Sequence, residues 1–208
     1  MAKGLTLMDW VATIALEAKR SAIIRVKEFA SRSHVSESAV KKALRRHAAK
    51  GILEEVSKGI YLNTLASGFS ARDVVNVVRS KSYISLETAL AEWGISTQHP
   101  VALTCVSALD ARTIKTKSLN ISYRKIKETL FWGFQENKTR YSAYKIAEPE
   151  KALLDWIYFS HNDGLPVPLD ELRFEKVSRS RLVDYAKKYP STVLKTLYFV
   201  LLEKQFAP

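Results

Sequence analysis

An α+β chain in two parts is predicted by three observations on these 208 residues. Residues 25–62 run in the order short helix, turn, helix, hairpin. The second of those helices sorts its residues cleanly by face. From Leu65 onward the pattern changes to short alternating apolar stretches, followed by strongly apolar helices. The first order is the plan of a winged helix-turn-helix. The expected architecture is therefore a winged helix-turn-helix domain at 1–64 and a mixed α/β domain at 65–208. With 47% apolar residues the chain can bury a core in each.

In the N-terminal part, Thr6 followed by Asp9 gives a helix start of capping-box type, and Leu7, Trp10, Val11, Ile14 and Ala18 recur at helical spacing. Ile23 and Ile24 supply a short strand before a helix at 26–31 that buries Val26, Phe29 and Ala30. Ser36 is a good cap for the next helix, and Gly51 ends it after Lys50. At about 100° per residue, Val40, Ala43, Leu44 and His47 share one side of this helix. Ser38, Lys41, Lys42, Arg45 and Ala49 share the other, which carries no acid. The hairpin reads 52–56, turn 57–59, 60–62, with Gly59 where a three-residue loop needs a left-handed residue.

In the C-terminal part, residues 71–79 look helical. Ser85 is placed to cap a helix through Leu86, Ala89, Leu90 and Trp93 that stops at Gly94. Strands are expected at 101–106, 119–123, 131–134 and 141–146. Pro149 stands at the first position of a helix to Phe159 that is apolar nearly all round and therefore central to the core. After a Gly-Leu-Pro-Val-Pro loop at 164–168, a helix at 180–188 precedes another opened by Pro190, with Leu194, Leu197, Tyr198, Leu201 and Leu202 on one face.

Net charge is +12, which predicts attraction to a polyanion. The excess is uneven: residues 1–64 and 65–146 each hold 12 Lys and Arg against 6 Asp and Glu, whereas 147–208 hold 9 of each. A single cysteine, Cys105, excludes an internal disulfide and a thiolate metal cluster, and fits a reducing cytoplasm. Lys3 ahead of Leu5 and Leu7 imitates a signal peptide, but Asp9 interrupts the run and no stretch approaches the roughly 18–20 apolar residues of a membrane span. A cytoplasmic protein without a membrane partner is expected.

A helix admitted to the major groove places Arg and Lys against guanine acceptors, and Ser against base edges or phosphates, while the wing follows the adjacent backbone. The expected DNA-binding residues are Ser36, Ser38, Lys41, Lys42 and Arg45, with Arg46 bordering them and Lys58 at the wing tip. The bland alternative is a solvated basic face on a protein-binding domain. A second basic block at 112–140 supplies possible phosphate contacts in Arg112, Lys115, Lys117 and Arg124, or forms the outer face of strands in a basic protein.

No catalytic residue, cofactor or metal is expected. Ser-x-x-Lys occurs at Ser38/Lys41 and at Ser142/Lys145 without the context of an acyl-enzyme. Glu148 and Glu150 are better placed to serve the positive end of the helix that Pro149 opens than to hold a metal. His34, His47, His99 and His161 lack metal-ligand spacing, and no glycine-rich phosphate loop is present.

Three segments together carry a resemblance. The winged module ends in Lys58-Gly59-Ile60-Tyr61-Leu62, residues 83–95 read YISLETALAEWGI, and residues 147–155 read AEPEKALLD. In that order and spacing the chain resembles the AbiEi-like antitoxins of abortive-infection toxin–antitoxin pairs. The resemblance implies an N-terminal winged helix that represses its own operon by binding double-stranded operator DNA. It also implies a C-terminal α/β domain that counteracts a cognate nucleotidyltransferase toxin. By the same analogy, the DNA-reading positions fall on the helix at 36–49 and the wing around Lys58, and the antitoxin function from about residue 66 onward. Two rivals stand beside this reading. One is a plain winged-helix regulator with a dimerising or ligand-sensing second domain; the other is a nucleic-acid enzyme built on the basic block.

Overall fold

The computed structural model describes residues 7–166 and 172–203, and its architecture is mixed α/β. The expected cap at Thr6, the neighbouring Lys3 and Leu5, and Pro168 lie outside the described residues, as do the side chains of Leu7, Leu201 and Leu202. The chain divides into two compact units. The first combines Met1–Ser80 with Ile114–Asn120 and Lys138–Ala143; the second takes Lys81–Thr113, Ile121–Asn137 and Tyr144–Pro208.

The first unit begins with α1 (Leu7–Ala18), β1 (Ile23–Arg25), α2 (Val26–Ser33), α3 (Glu37–Ala49), β2 (Leu53–Ser57) and β3 (Ile60–Asn63). The strands form one antiparallel sheet in the order β1-β3-β2, so β3 is central. Apolar residues from every one of these elements close one core: Trp10 and Ile14 of α1, Ile24, Val26 and Phe29, Val40, Ala43 and Leu44 of α3, and Leu53 and Tyr61 of the hairpin. Trp10 stacks on Phe29 with ring centroids 6.0 Å apart. Val11, whose spacing suggested a core position, faces outward at 37% exposure. A left-handed His34 ends α2. A left-handed Gly51 (φ +75°) follows Lys50 at the end of α3, and Gly59 (φ +75°) turns the hairpin. Asn63 closes the unit from within: its side-chain amide donates to the Ile14 carbonyl at 2.8 Å. A further helix, α4 (Arg72–Val78), also belongs here, with Asp73 accepting from Ser70 N at 2.7 Å and from the Thr139 hydroxyl.

The second sheet has six strands: β4 (Ser82–Ile84), β5 (Leu103–Ser107), β6 (Arg112–Lys115), β7 (Asn120–Lys125), β8 (Phe134–Lys138) and β9 (Ala143–Ala147). Their order is β6-β7-β5-β4-β9-β8. It is a mixed sheet, with β4 antiparallel to β5 but parallel to β9, and β5 parallel to β7. Helices α5 (Leu86–Glu92), α6 (Pro149–Asp163), α7 (Arg179–Ala186) and α8 (Ser191–Glu203) complete the second unit, with α6 touching the other three.

Four expectations are corrected. Residues 131–134 are not a strand, because Gly133 adopts φ +73° and extended pairing starts only at Phe134. The short strands β4 and β6 are additional. Ser85 stands at the N-cap of α5 without capping it, since its hydroxyl is directed to Asp155, and Leu86 behind it adopts φ +57°. Pro149 opens α6 as expected, but the helix is not apolar all round: Glu150, Lys151 and Asp155 are buried in it.

Candidate nucleic-acid interface

The outer face of α3 is positioned by its inner face. Because Val40, Ala43, Leu44 and His47 are buried, a 3.6-residue period leaves Ser38, Lys42, Arg45 and Arg46 exposed and Lys41 half-buried. Ser36 is exposed as well, but its hydroxyl caps the helix. It accepts from Ala39 N at 3.4 Å and lies 3.2 Å from the Ser38 hydroxyl. Arg45 and Glu55 are close enough to influence the Tyr61 phenol, which burial and then the Glu55 carboxylate push up from its ordinary value. Behind the helix His47 is fully buried, and both ring nitrogens lack a hydrogen-bond partner. Burial, reinforced by Arg46 and Lys50, lowers its pKa and keeps the ring neutral.

Lys58 is exposed at the hairpin turn. The turn is fixed to the start of α2 by Val26 N donating to Gly59 O at 3.0 Å. A cleft of about 520 Å³, lined by Lys27, Glu37, Lys41 and Lys58 over Val26 and Ile60, runs between these pieces. No local residue pattern announces that cleft, since its walls come from separate elements. A second connection was equally hidden. Glu54, on β2, accepts from Ser118 N (3.2 Å), the Ser118 hydroxyl (2.8 Å) and the Thr116 hydroxyl, so the turn carrying exposed Lys115 and Lys117 is tied to the hairpin.

The predicted residues thus fall into two groups. Ser36, Ser38, Lys41, Lys42, Arg45, Arg46, Lys58, Lys115 and Lys117 belong to the first unit, whereas Arg112 and Arg124 belong to the second. Arg124 is already engaged: its guanidinium makes a bidentate pair with Asp163 (2.6 and 2.7 Å) and lies 4.2 Å over the Phe159 ring. The hydrogen bond from Arg124 holds the Asp163 carboxyl below its usual value.

The second unit contains a polar cluster that sequence reasoning missed. Lys151 and Asp155, one turn apart on α6, are both fully buried and paired at 2.6 Å. Asp155 also accepts from Tyr189 OH (2.7 Å), Tyr83 OH (2.9 Å) and the Ser85 hydroxyl (2.8 Å). The Lys151 ammonium lies 4.9–5.4 Å from the ring centres of Tyr189, Trp132 and Tyr83. Desolvation lowers the Lys151 pKa while Asp155 pulls it back, and desolvation raises Tyr83 and Tyr189 well above theirs. Glu148 and Glu150 do not cap α6 through their side chains. Glu150 accepts from Ser178 N at 2.7 Å and Glu148 from Tyr185 OH at 2.5 Å, fastening α7. That bond, with burial, raises Tyr185 to about 12. Each oxygen of the Lys151 cluster is turned inward, which marks it as a structural centre rather than a surface for a partner.

Among the described residues no group of three or more His, Cys, Asp and Glu could hold a metal ion, and no helix is long and apolar enough to cross a membrane. No curated protein matches the chain. Residues 12–64, from the middle of α1 to just past β3, match the family of transcriptional regulators described as AbiEi antitoxins, the family that the sequence resembles.

Proposed function

We propose that this chain is an autorepressing antitoxin. Residues 1–64 form a winged helix-turn-helix that reads double-stranded operator DNA, and residues 65–208 counteract a cognate nucleotidyltransferase toxin in the cytoplasm. The observation that carries the reading is the exposed face of α3, where Ser38, Lys42, Arg45 and Arg46 stand with Glu37 in the first turn as the helix's one acid, beside the Lys58 turn, in an element order of helix, strand, two helices and hairpin. The match of that same span to AbiEi regulators supports the regulatory role.

In this reading α3 enters the major groove. Lys42 and Arg45 take guanine acceptors, with Ser38, Lys41 and Arg46 beside them, while Ser36 spends its hydroxyl on the helix cap. Lys58, Lys115 and Lys117 meet phosphates, and their tethers through Gly59 and Glu54 hold them in one unit with α3. Arg112 and Arg124 stay in the scheme as phosphate contacts of the second unit. For Arg124 a phosphate has to displace the Asp163 carboxylate.

Titration of labelled duplex from the chain's own promoter, against scrambled duplex at fixed salt, tests the first half. Replacing Lys42 and Arg45 together by Ala removes promoter preference, at about 1–3 kcal/mol for each lost base contact. A folded double variant with undiminished preference overturns the assignment. Co-expression of the full chain with the neighbouring toxin gene tests the second half, and failure of rescue leaves a plain regulator.

A further inference from the structure

Among the described residues the outer face of α1 is exposed, and its middle is apolar. Trp10, Ile14 and Ala18 face the core, whereas Val11 and Leu16 are 37% and 63% exposed, and Ala12 and Ala15 between them are exposed too. At 100° per residue Ala12, Ala15 and Lys19 lie along one seam, with Val11 on one flank and Leu16 on the other. Such a face on a water-soluble helix is a docking surface when a complementary partner exists.

The charges along α1 indicate which partner. Asp9 sits in its first turn, and Lys19 and Arg20 stand just beyond its end, all three exposed. A second copy laid antiparallel across the seam, with its two-fold axis passing between Thr13 and Ile14, brings Ala12 of each copy opposite Ala15 of the other. It also brings Asp9 of each copy to the height of Lys19 and Arg20 of the other. A parallel arrangement stacks like charges at both ends instead. The antiparallel one also opposes the two helix dipoles. The two alanines let the backbones approach closely, while Val11 packs beside its own copy on one flank and Leu16 on the other. The same patch serves both subunits, as an isologous two-fold contact requires.

We propose that the chain self-associates through α1 as an antiparallel, two-fold pair. A three-turn contact of this kind buries roughly 800 Å² in total, below the ~1,200 Å² of stable specific interfaces, so the pair is weak and forms in the micromolar range or above. The proposal does not depend on the DNA reading and is tested without DNA.

Sedimentation equilibrium of the full chain, over a concentration series at low salt, is expected to show a reversible monomer–dimer equilibrium. Ala15→Arg, at an exposed position, weakens it at least tenfold without changing the circular dichroism. Asp9→Lys alone and Arg20→Glu alone each weaken it, and the double variant recovers association. An equimolar mixture of A12C and A15C chains cross-links on mild oxidation faster than either alone, with Cys105 buried and out of reach. A strictly monomeric chain at about 0.5 mM, or a dimer indifferent to Ala15→Arg and to the charge exchange, overturns the proposal.

Discussion

Removing the Asp155 carboxylate is the most severe single change expected for the second unit. In Asp155→Ala the Lys151 ammonium stays fully buried without its counter-charge, and the hydroxyls of Tyr83, Ser85 and Tyr189 lose their common acceptor. Breaking a buried ion pair by deleting one partner costs about 3–5 kcal/mol. Each orphaned hydroxyl adds up to ~1–3 kcal/mol, and the Lys151 ammonium, which only donates to Tyr189 OH, cannot replace the carboxylate as its acceptor. A loss of at least ~4 kcal/mol therefore follows, against a total of about 5–15 kcal/mol for an ordinary domain. Urea unfolding followed by Trp132 emission reports it, since that indole packs edge-on to Tyr185 and Tyr189. The decisive comparison is Lys151→Met with Asp155→Leu, which removes both charges at similar volume and recovers about 2 kcal/mol or more of the loss. The reasoning fails if Asp155→Ala costs under ~1 kcal/mol, or if the double variant is no more stable than the single one.

Three further outcomes are expected. Lys58→Ala and Lys117→Ala each weaken binding to promoter and scrambled duplex alike, and each reduces the log–log salt slope by about one unit; an unchanged slope removes that lysine from the phosphate contacts. The His47 pKa is lowered from 6.5 in the folded chain, so the unfolded chain binds the extra proton first. Stability of the first unit is then full above about pH 7 and falls as the pH drops below about 6.5, down to the folded pKa. His47→Leu flattens this dependence in denaturation midpoints measured at several pH values, and an unchanged profile in that variant shows that another group is responsible. Finally, Gly133→Ala costs ~2 kcal/mol or more, because its φ is +73° and a Cβ meets Lys151 Cγ at 3.1 Å. Gly68→Ala, at φ +70° with open space around it, costs only ~1 kcal/mol, and equal unfolding midpoints for the two contradict the role given to the Lys151 contact.

The α3 face was legible because a buried stripe of Val40, Ala43, Leu44 and His47 leaves a single possible outer side. The helix end at Gly51 was legible from local conformational chemistry, whereas α6 runs past the expected Phe159 to Asp163 before the left-handed Gly164. The charged centre was not. Lys and Asp four residues apart read equally well as an exposed pair on any helix, and only Tyr83 and Tyr189, 72 and 34 residues from Asp155, decide that this pair is buried. Strand β6 was missed because Arg112-Thr113-Ile114-Lys115 contains one apolar residue, and its register is imposed by β7. Residues 131–134 looked like a strand because their aromatics imitate one, yet the Phe131 and Phe134 rings pack against Tyr83 around a left-handed Gly133. Ser85 has cap chemistry, but its hydroxyl donates to the buried Asp155 carboxylate, and the Thr88 amide that a cap at Ser85 would serve donates to the Thr104 hydroxyl instead.

The anchoring of residues 116–118 on Glu54 bears on how the protein is made. A chain leaving the ribosome N-terminus first can close the core of α1 to β3 early, since Trp10 to Tyr61 suffice for it. Glu54 then waits about sixty residues for Thr116 and Ser118, and Asp73 waits about as long for Thr139. The first unit, though named by its N-terminal residues, is finished only when Ala143 has emerged, after more than two thirds of the protein has been synthesised. A nascent chain stalled before Ser118 presents α3 without the Lys115 and Lys117 turn. Any binding mode that uses both is therefore reserved for chains in which the first segment of the second unit, Lys81–Thr113, already exists.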